Sequence, residues 1–466
     1  MSLKKFTTDF QTLAKDQYLR NDEKFYVFLN SSSWNLFNVK DKNLISLKDI
    51  LIDDYNNFEY EEGEKYKGIP TGQTYLDEDG YIKEFQPITS EDHPVRLKYK
   101  VLGNNILISS LRLAKSPALY FENKDLTNYV FSNGFYIYKV KDGWNEKFVL
   151  YILRMKKLKD ILDNHIYRGI GISAYKDGDL KKIKIPVISR PKQNQIVSQI
   201  EPIEKKIKKL KRQITPSQEI INKVFAREFG FDLEKFEELK KEKFFEVEIL
   251  KFNTPLIRST VIQNNYKSEY LKKFLKNNTL FLKDTITRPI KRGKQPEYTD
   301  DGVKVIKTLN IQKGYINFDE VQFVSDEFLK KNEGKAGIYK NDLLLTSTGM
   351  GRGKFALYDE EEICFADSHI SIIRFNQKKT LPYFLNYYCQ SFFGIEQLKY
   401  IEMHIKGTPE IYETQLNYFQ IPNIFLRDQQ KIVDEIKTEL DEQKEMKQKI
   451  DAERDKIDEI IEKVIR

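Results

Sequence analysis

The sequence predicts an α+β protein built twice: two similar globular units separated by two long antiparallel helices that form a coiled coil. Three observations predict it: a phrase repeated half a chain apart, the same strand-then-helix order in each half, and two heptad seams. IPVISRPKQNQIVSQI (Ile185 to Ile200) returns as IPNIFLRDQQKIVDEI (Ile421 to Ile436), 236 residues on (185 to 421) in a chain of 466. Ile185/Ile421, Pro186/Pro422, Ile188/Ile424, Gln193/Gln429, Ile196/Ile432, Val197/Val433 and Ile200/Ile436 are identical pairs. Solenoid periods run to about 20–50 residues, so this is duplication of a whole domain.

The repeat extends upstream with small loop shifts. SLKDI (Ser46 to Ile50) answers FLKDT (Phe281 to Thr285), and GIPTGQTYLDEDGYI (Gly68 to Ile82) answers GVKVIKTLNIQKGYI (Gly302 to Ile316). VLGNNILISS (Val101 to Ser110) answers IYKNDLLLTS (Ile338 to Ser347), Gly171 answers Gly407, and Leu180 answers Leu416. Short runs such as VKVIKTLNI, DLLLTS and ISIIRF, bounded by Gly, Asn and Asp, read as strands and turns. A helix follows in each copy (EKFVLYILRMKKLKDIL and LPYFLNYYCQSFFGIEQLKYI), then a short Ile-Pro strand, then the long helix.

The helices carry the clearest period. Ile196, Ile200, Ile203, Ile207, Leu210 and Ile214 step by four and three, a heptad seam. Ile432, Ile436, Met446, Ile450, Ile457, Ile460 and Val464 form the second, interrupted by Glu439, Gln443 and Glu453. Asp428 is placed to cap the second helix. Pro202 and Pro216 fall inside the first pattern, where each removes a hydrogen bond and kinks or restarts the helix. The economical partner for each apolar seam is the other helix, antiparallel. Arg227 to Leu250 has no counterpart in the repeat, and its charge density suggests a solvated helix and turn. The domains expected are therefore 1–190, a spacer helix over 191–228, a linker and second globular unit over 229–426, and a C-terminal spacer helix over 427–466.

Aromatic residues at 13% and a hydrophobic set at 40% suffice for ordinary cores and exclude a disordered chain. A net charge of +8, from 78 basic and 70 acidic residues, permits a polyanionic partner without demanding one. Two similar halves suit a partner that is itself two-fold symmetric, and duplex DNA is one. Cys364 and Cys389 alone exclude a disulfide framework and most cysteine-based zinc sites. MSLKKFTTDF lacks the apolar core of a signal peptide. The most apolar window, Leu381 to Ile395, is short and holds Asn386 and Gln390. A soluble protein of a reducing bacterial cytoplasm, with no membrane partner, is expected.

The most DNA-like stretch is TRPIKRGKQPEYTDDGVKVIKTLNI (Thr287 to Ile311). Arg288, Lys291, Arg292, Lys294 and Gln295 sit in a Gly/Pro-containing loop between strands, with Lys307, Thr308 and Asn310 downstream. Guanidinium and amide groups suit bidentate readout of guanine and adenine, and lysines suit phosphates; a solubilising basic loop is the plainer reading. TSTGMGRGKF (Thr346 to Phe355) is not a phosphate loop, because Phe355 stands where a hydroxyl must follow Lys354, and Lys354 replaces the third glycine of GxGxxG. It reads either as a tight hairpin or as a loop offering Thr348, Arg352 and Lys354 to DNA. The first copy offers SSLRLAK at the matching place, with Arg112 and Lys115. Arg168 and Lys406, beside the paired glycines, complete the candidate DNA-binding set. The lysines from Lys205 to Lys211, with Arg212, read as a solvated helix face or a partner surface.

Asp367-Ser368-His369 matches no nucleophilic triad, and His93, His165 and His404 have no metal-ligand spacing. The adenine-methyltransferase tetrapeptide, a Walker pair and a Gly-rich cofactor turn are all missing. The expectation is no catalytic residue, no metal and no cofactor on this chain.

In this order, twice over, the motifs resemble the specificity subunit of type I restriction-modification systems across nearly the whole chain. They are the two Ile-Pro-to-helix phrases, GVKVIKTLNIQKGYI, VSDEF (Val324 to Phe328), KNDLLLTSTGMGRGK and KGTPEIYETQL (Lys406 to Leu416). The resemblance implies two target-recognition domains, each reading one half of a split site in double-stranded DNA. It implies paired helices that fix the gap and dock two adenine-methyltransferase subunits, with endonuclease/translocase subunits as further partners. S-adenosylmethionine, ATP and Mg would then reside on partner subunits. The first copy lacks the glycine loop and carries SSSWNLFNV (Ser31 to Val39), which leaves its base-reading residues unplaced. The alternatives are the recognition subunit of a related type II system and a coiled-coil adaptor without DNA.

Overall fold

A computed structural model describes residues 36–37, 43–72, 74–77, 81–111, 118–120, 125–162, 174–239, 266–276, 279–349, 351–401, 403–405 and 408–465. The chain divides into two compact units: Met1–Gln213 with Gln448–Arg466, and Ile214–Lys447.

In the first unit a five-stranded sheet runs in the order Asn56–Asn57, Leu97–Lys100, Tyr129–Ser132, Lys65–Ile69, Gln86–Thr89. Only the pair of 129–132 with 65–69 is parallel. An antiparallel sheet follows, in the order Leu51–Asp53, Phe135–Val140, Ile106–Ser109, Ala118–Tyr120. Leu44–Ser46 pairs with Lys184–Pro186 as a short ribbon.

The second unit repeats the plan, except that its two-residue edge strand Tyr298–Thr299 lies on the opposite edge of the five-stranded sheet from Asn56–Asn57. Its five-stranded sheet is Tyr298–Thr299, Gln322–Val324, Val303–Ile306, Cys364–Ala366, Gly337–Ile338, again with one parallel pair, 303–306 with 364–366. Its antiparallel sheet is Lys291–Arg292, Ile370–Ile373, Leu343–Thr346, Phe355–Leu357, and its ribbon pairs Thr279–Phe281 with Gln420–Pro422.

The apolar runs at the centres of the antiparallel sheets face two cores at once. Ile106 and Ile108 enter one cluster while Leu107 enters another. Leu343 and Leu345 likewise face one core and Leu344 a second. Period-two alternation sends successive side chains to opposite faces, so a strand covered on both sides reads as a continuous apolar run.

Each copy then has two short helices, Glu146–Arg154 with Lys156–Ile161, and Pro382–Gln390 with Phe392–Ile401. The repeated glutamine acts here. Gln193, 1% exposed, accepts from the Asn145 amide (2.6 Å) and donates to the Ile188 carbonyl (2.7 Å). Gln429, also 1% exposed, accepts from the Leu381 amide (2.8 Å) and donates to the Lys379 (2.9 Å) and Ile424 (3.0 Å) carbonyls. Asn145 and Leu381 are the N-caps of the two apolar helices, whose first amides lack partners of their own. One amide side chain therefore locks the start of each long helix to the start of the helix beneath it.

The long helices depart from expectation at three points. The central helix expected over 191–228 is two helices, Arg190–Lys211 and Ser217–Phe229. The break lies before Pro216, which lacks an amide hydrogen and sits as N-cap of the second piece. Pro202 instead stays inside the first helix. The terminal helix, Leu426–Ile465, begins two residues ahead of Asp428, which lies in its first turn and not at the cap; a carboxylate there still favours the helix dipole. Arg227 to Leu250 does not begin as a solvated linker, because Phe231 and Phe236 (0% exposed) join the second unit's core.

Helix pairing is antiparallel within each unit. In the first, Ile196 and Ile200 share a core with Ile461 and Ile465, and farther along Lys206 meets Glu453 at 2.8 Å. In the second, the Thr215 amide donates to Gln443 (2.8 Å) and Arg227 pairs with Glu435. Of the seam residues, Ile196, Ile200, Ile207, Ile432, Ile436 and Ile450 are buried, and Ile203, Leu210, Met446 and Ile457 are half-buried.

Residues 214–230 also prove to be a counterpart of 450–466, again 236 apart. Asn222 accepts from the Phe392 amide (2.8 Å), and Asp458, 236 residues later, accepts from the Lys156 amide (3.0 Å), itself 236 before Phe392. Burial, with Asp455 and Glu462 nearby, pushes the Asp458 carboxyl above its ordinary pKa, and the Lys156 amide only partly offsets this. The folded state thus favours the protonated form. Its contribution is full below the unfolded carboxyl range and is lost as pH rises through the folded value. Asp458→Asn, which copies Asn222, is expected to raise stability at pH 7 by about 0.5–1 kcal/mol, with the gap closing toward pH 4. Thermal melts at both pH values check this; a variant less stable than wild type at pH 7 would contradict it.

No helix among the described residues is long and apolar enough to cross a membrane.

Candidate nucleic-acid interface

The predicted basic loop lies in the second unit and is not all loop: Lys291–Arg292 within it is an edge strand paired with Ile370–Ile373. Gly293 sits so close to the strand 364–366 that its amide bonds the Ile370 carbonyl (2.9 Å), and the Lys294 amide bonds the Ala366 carbonyl (3.1 Å). A β-carbon on Gly293 would overlap the carbonyl oxygens of Ala366 and Asp367.

Three of the cations turn to the end of one helix. Arg288 (3.2 Å) and Lys291 (2.9 Å) both donate to the Gly334 carbonyl, and Lys294 donates to Asn332 (2.7 Å) while lying 5.5 Å from the Phe328 ring. Helix Asp326–Ala336 starts at a Ser325 cap with two acidic residues in its first turn, so cations at its far end complete the dipole. Arg288 is half-buried beside Arg374, and Nε and Nη2 of its guanidinium lack hydrogen-bond partners among the described residues. Burial first, then the Arg374 charge, holds its pKa below the usual arginine value. Arg374 forks onto the buried Asp342 at 2.7 and 2.6 Å, a structural pair.

Arg292 is held from within. It pairs with Glu410, contacts Glu413 (2.8 Å), donates to the Ile411 carbonyl (2.9 Å) and lies 5.3 Å from the Tyr412 ring. The Tyr412 hydroxyl, then Arg292, hold the Glu410 carboxyl below its usual range against its burial. For Arg292 to reach a base, this ion pair would have to open.

Farther along, Asn310 is 1% exposed and saturated. It accepts from the Lys307 amide (2.9 Å) and donates to the Asn317 (3.0 Å) and Glu320 (3.1 Å) carbonyls, so it pins its own loop. Lys307 reaches Gln322 (2.6 Å) and the exposed Tyr298 ring (5.7 Å), and Thr308 is half-buried beside it. The TSTGMGRGKF loop is a tight hairpin: Thr346 Oγ1 donates to the Gly351 carbonyl and accepts from the Lys354 amide, both at 2.9 Å. Gly349 (φ 83°) and Gly353 (φ 82°) supply its left-handed turns. Half-buried Arg352 and Lys354 flank it. Arg112, Lys115, Arg168 and Lys406 lie outside the described residues.

Two residues not singled out as DNA-reading candidates, Ser368 and His369, join two that were, Gln295 and Thr348. Thr348 hydrogen-bonds His369 Nδ1, and Ser368 reaches the exposed Gln295 (3.5 Å). Gln295, Ser368, His369 and Thr348 thus come together from three segments. Their convergence had no sequence signal, because 73 residues separate Gln295 from Ser368.

The first unit holds a cleft of about 850 Å³ lined by Tyr81, Tyr151, Glu204, Ile207, Lys211 and Asp458, among others. Among the described residues no group of three or more His, Cys, Asp or Glu could hold a metal ion.

No protein-family model and no curated relative matches the chain in sequence. Solved structures match it in fold. One comes from work on complex assembly and conformational transition of the type I R-M system, at 13% identity, TM-score 0.43, covering 92% of this chain and 99% of that one. The HsdS subunit of Thermoanaerobacter tengcongensis matches at 13% identity and TM-score 0.34, covering 91% and 96%. The type I restriction-modification S subunit of M. genitalium matches at 13% and 0.40, covering 92% and 98%. These three solved structures, similar to this chain over most of its length, come from type I restriction-modification systems, an HsdS subunit and an S subunit among them.

Proposed function

We propose that this chain is the DNA sequence-specificity subunit of a type I restriction-modification complex, each unit reading one half of a bipartite site. The observation that carries this reading is the paired build. Two units share sheets, ribbon and glutamine lock, yet differ in the loops they expose. Paired architecture suits paired half-sites, and differing loops suit two different half-site sequences.

The paired helices, whose outer faces are charged and exposed from Lys205 to Lys209 and from Asp441 to Lys449, are the surface on which two adenine-methyltransferase subunits would dock. Endonuclease/translocase subunits would complete the restriction enzyme. S-adenosylmethionine, ATP and Mg would be bound by those partners, and this chain would carry out no chemistry in the bacterial cytoplasm where it works.

Co-expression with an adenine methyltransferase, followed by mapping of methylated adenines, tests the reading. A two-part motif that requires this chain is expected, together with duplex binding that weakens steeply as salt rises. Salt-independent binding with no methylation motif would leave a helical adaptor.

A further inference from the structure

We infer that the turn between the five-stranded and four-stranded sheets is the base-reading element of each unit, presenting Asn133 in the first and Ser368 with His369 in the second. This rests on the proposed reading of a bipartite DNA site.

The two turns have one frame. In the first unit the Gly134 amide donates to Ser132 Oγ (3.1 Å), and the Gly134 carbonyl accepts from the Ser110 amide (3.0 Å). In the second the His369 amide donates to Asp367 Oδ1 (2.9 Å), and the His369 carbonyl accepts from the Ser347 amide (2.9 Å). Both turns join the strand that makes the parallel pair to the longest-paired strand of the next sheet. The backbone is therefore fixed twice in the same way.

What the turns display differs. Asn133 is exposed in the first, and its side-chain amide has the donor and acceptor that adenine's N7 and N6 require. At the matching positions stand Ser368, half-buried, and His369, exposed. Thr348 fixes one nitrogen of the His369 ring, leaving Nε2 without a partner among the described residues. Gln295 stands beside Ser368 as a second amide. Readout needs exposed, unsatisfied polar groups on a rigid support. Asn133 and His369, exposed on the two turns, meet that description, whereas Arg292 is held by Glu410 and Glu413 and Arg288 is half-buried with one nitrogen on the Gly334 carbonyl.

Selection from a randomised duplex library with the full chain, then sequencing, tests the turn. The wild type is expected to yield a two-part motif. Asn133→Ala should relax one half only and His369→Ala the other, each lowering affinity for the selected duplex by about tenfold to a hundredfold. His369→Gln should change the preferred base instead of losing preference. Both positions are exposed, and unchanged thermal melts confirm folding. A two-part wild-type motif that all three variants leave intact would overturn the turn's role alone. A wild type that selects no two-part motif would overturn the specificity-subunit reading and this inference with it.

Discussion

Gln429→Ala is expected to lower the stability of the second unit by about 2–4 kcal/mol, among the largest effects of any single side-chain truncation outside the apolar core. Three backbone groups depend on this one amide: the Leu381 N–H and the Lys379 and Ile424 carbonyls. At 1% exposure no bulk water can take its place. Each buried group left without a partner costs about 1–3 kcal/mol, less whatever the local backbone regains by relaxing. For a unit of this size the melting temperature should fall by roughly 5–15 °C. Gln193→Ala should follow the same direction with a smaller drop, because Gln193 serves two backbone groups. Gln429→Glu is a sharper probe, since a carboxylate can accept from Leu381 but cannot donate to either carbonyl. Calorimetry of the three variants checks the order. A Gln429→Ala protein that melts with the wild type would mean that the long helix is anchored by its apolar face alone.

The same glutamines show why some of this protein is legible in its sequence. An identical Gln among the apolar identities of the two helix starts stands out because both copies need the same buried amide at the same place. The seam isoleucines are legible for a similar reason: a 3.5-residue apolar period has one common physical cause. Other positions are opaque because their partners are remote. Arg292 looks like a DNA contact until Glu410, 118 residues away, folds beside it. Asn310 has the composition of a base reader, yet its loop consumes the whole amide internally. The equivalence of 214–230 with 450–466 escapes inspection because the residues performing one task are Asn222 in one copy and Asp458 in the other. His369 was visible only as a failed triad, since nothing local announces that Thr348 will orient its ring.

Gly293→Ala should separate the role of the loop's position from the role of its charges. Its backbone does not require glycine for conformational freedom, because its φ is not among the positive values. The obstacle is space. A β-carbon would lie 2.5 Å from the Ala366 carbonyl carbon and overlap the Ala366 and Asp367 carbonyl oxygens, all backbone atoms of the strand 364–366 and the turn that follows it. The loop must lift, giving up the Gly293–Ile370 and Lys294–Ala366 bonds. Overpacking at about 1–3 kcal/mol with two backbone hydrogen bonds at about 0.5–1.5 each gives a loss of about 2–6 kcal/mol. Gly349→Ala is the control: its β-carbon would meet nothing within 4 Å, so only the φ of 83° penalises it, by about 1 kcal/mol. Because Gln295 and the 367–369 turn are held in register by this contact, Gly293→Ala should lose the half-site read by the second unit while the first unit's half persists. Library selection and thermal melting on the same preparation report both effects. Were Gly293→Ala to keep both half-sites and the wild-type melt, the close approach of this loop to the strand would have no part in recognition.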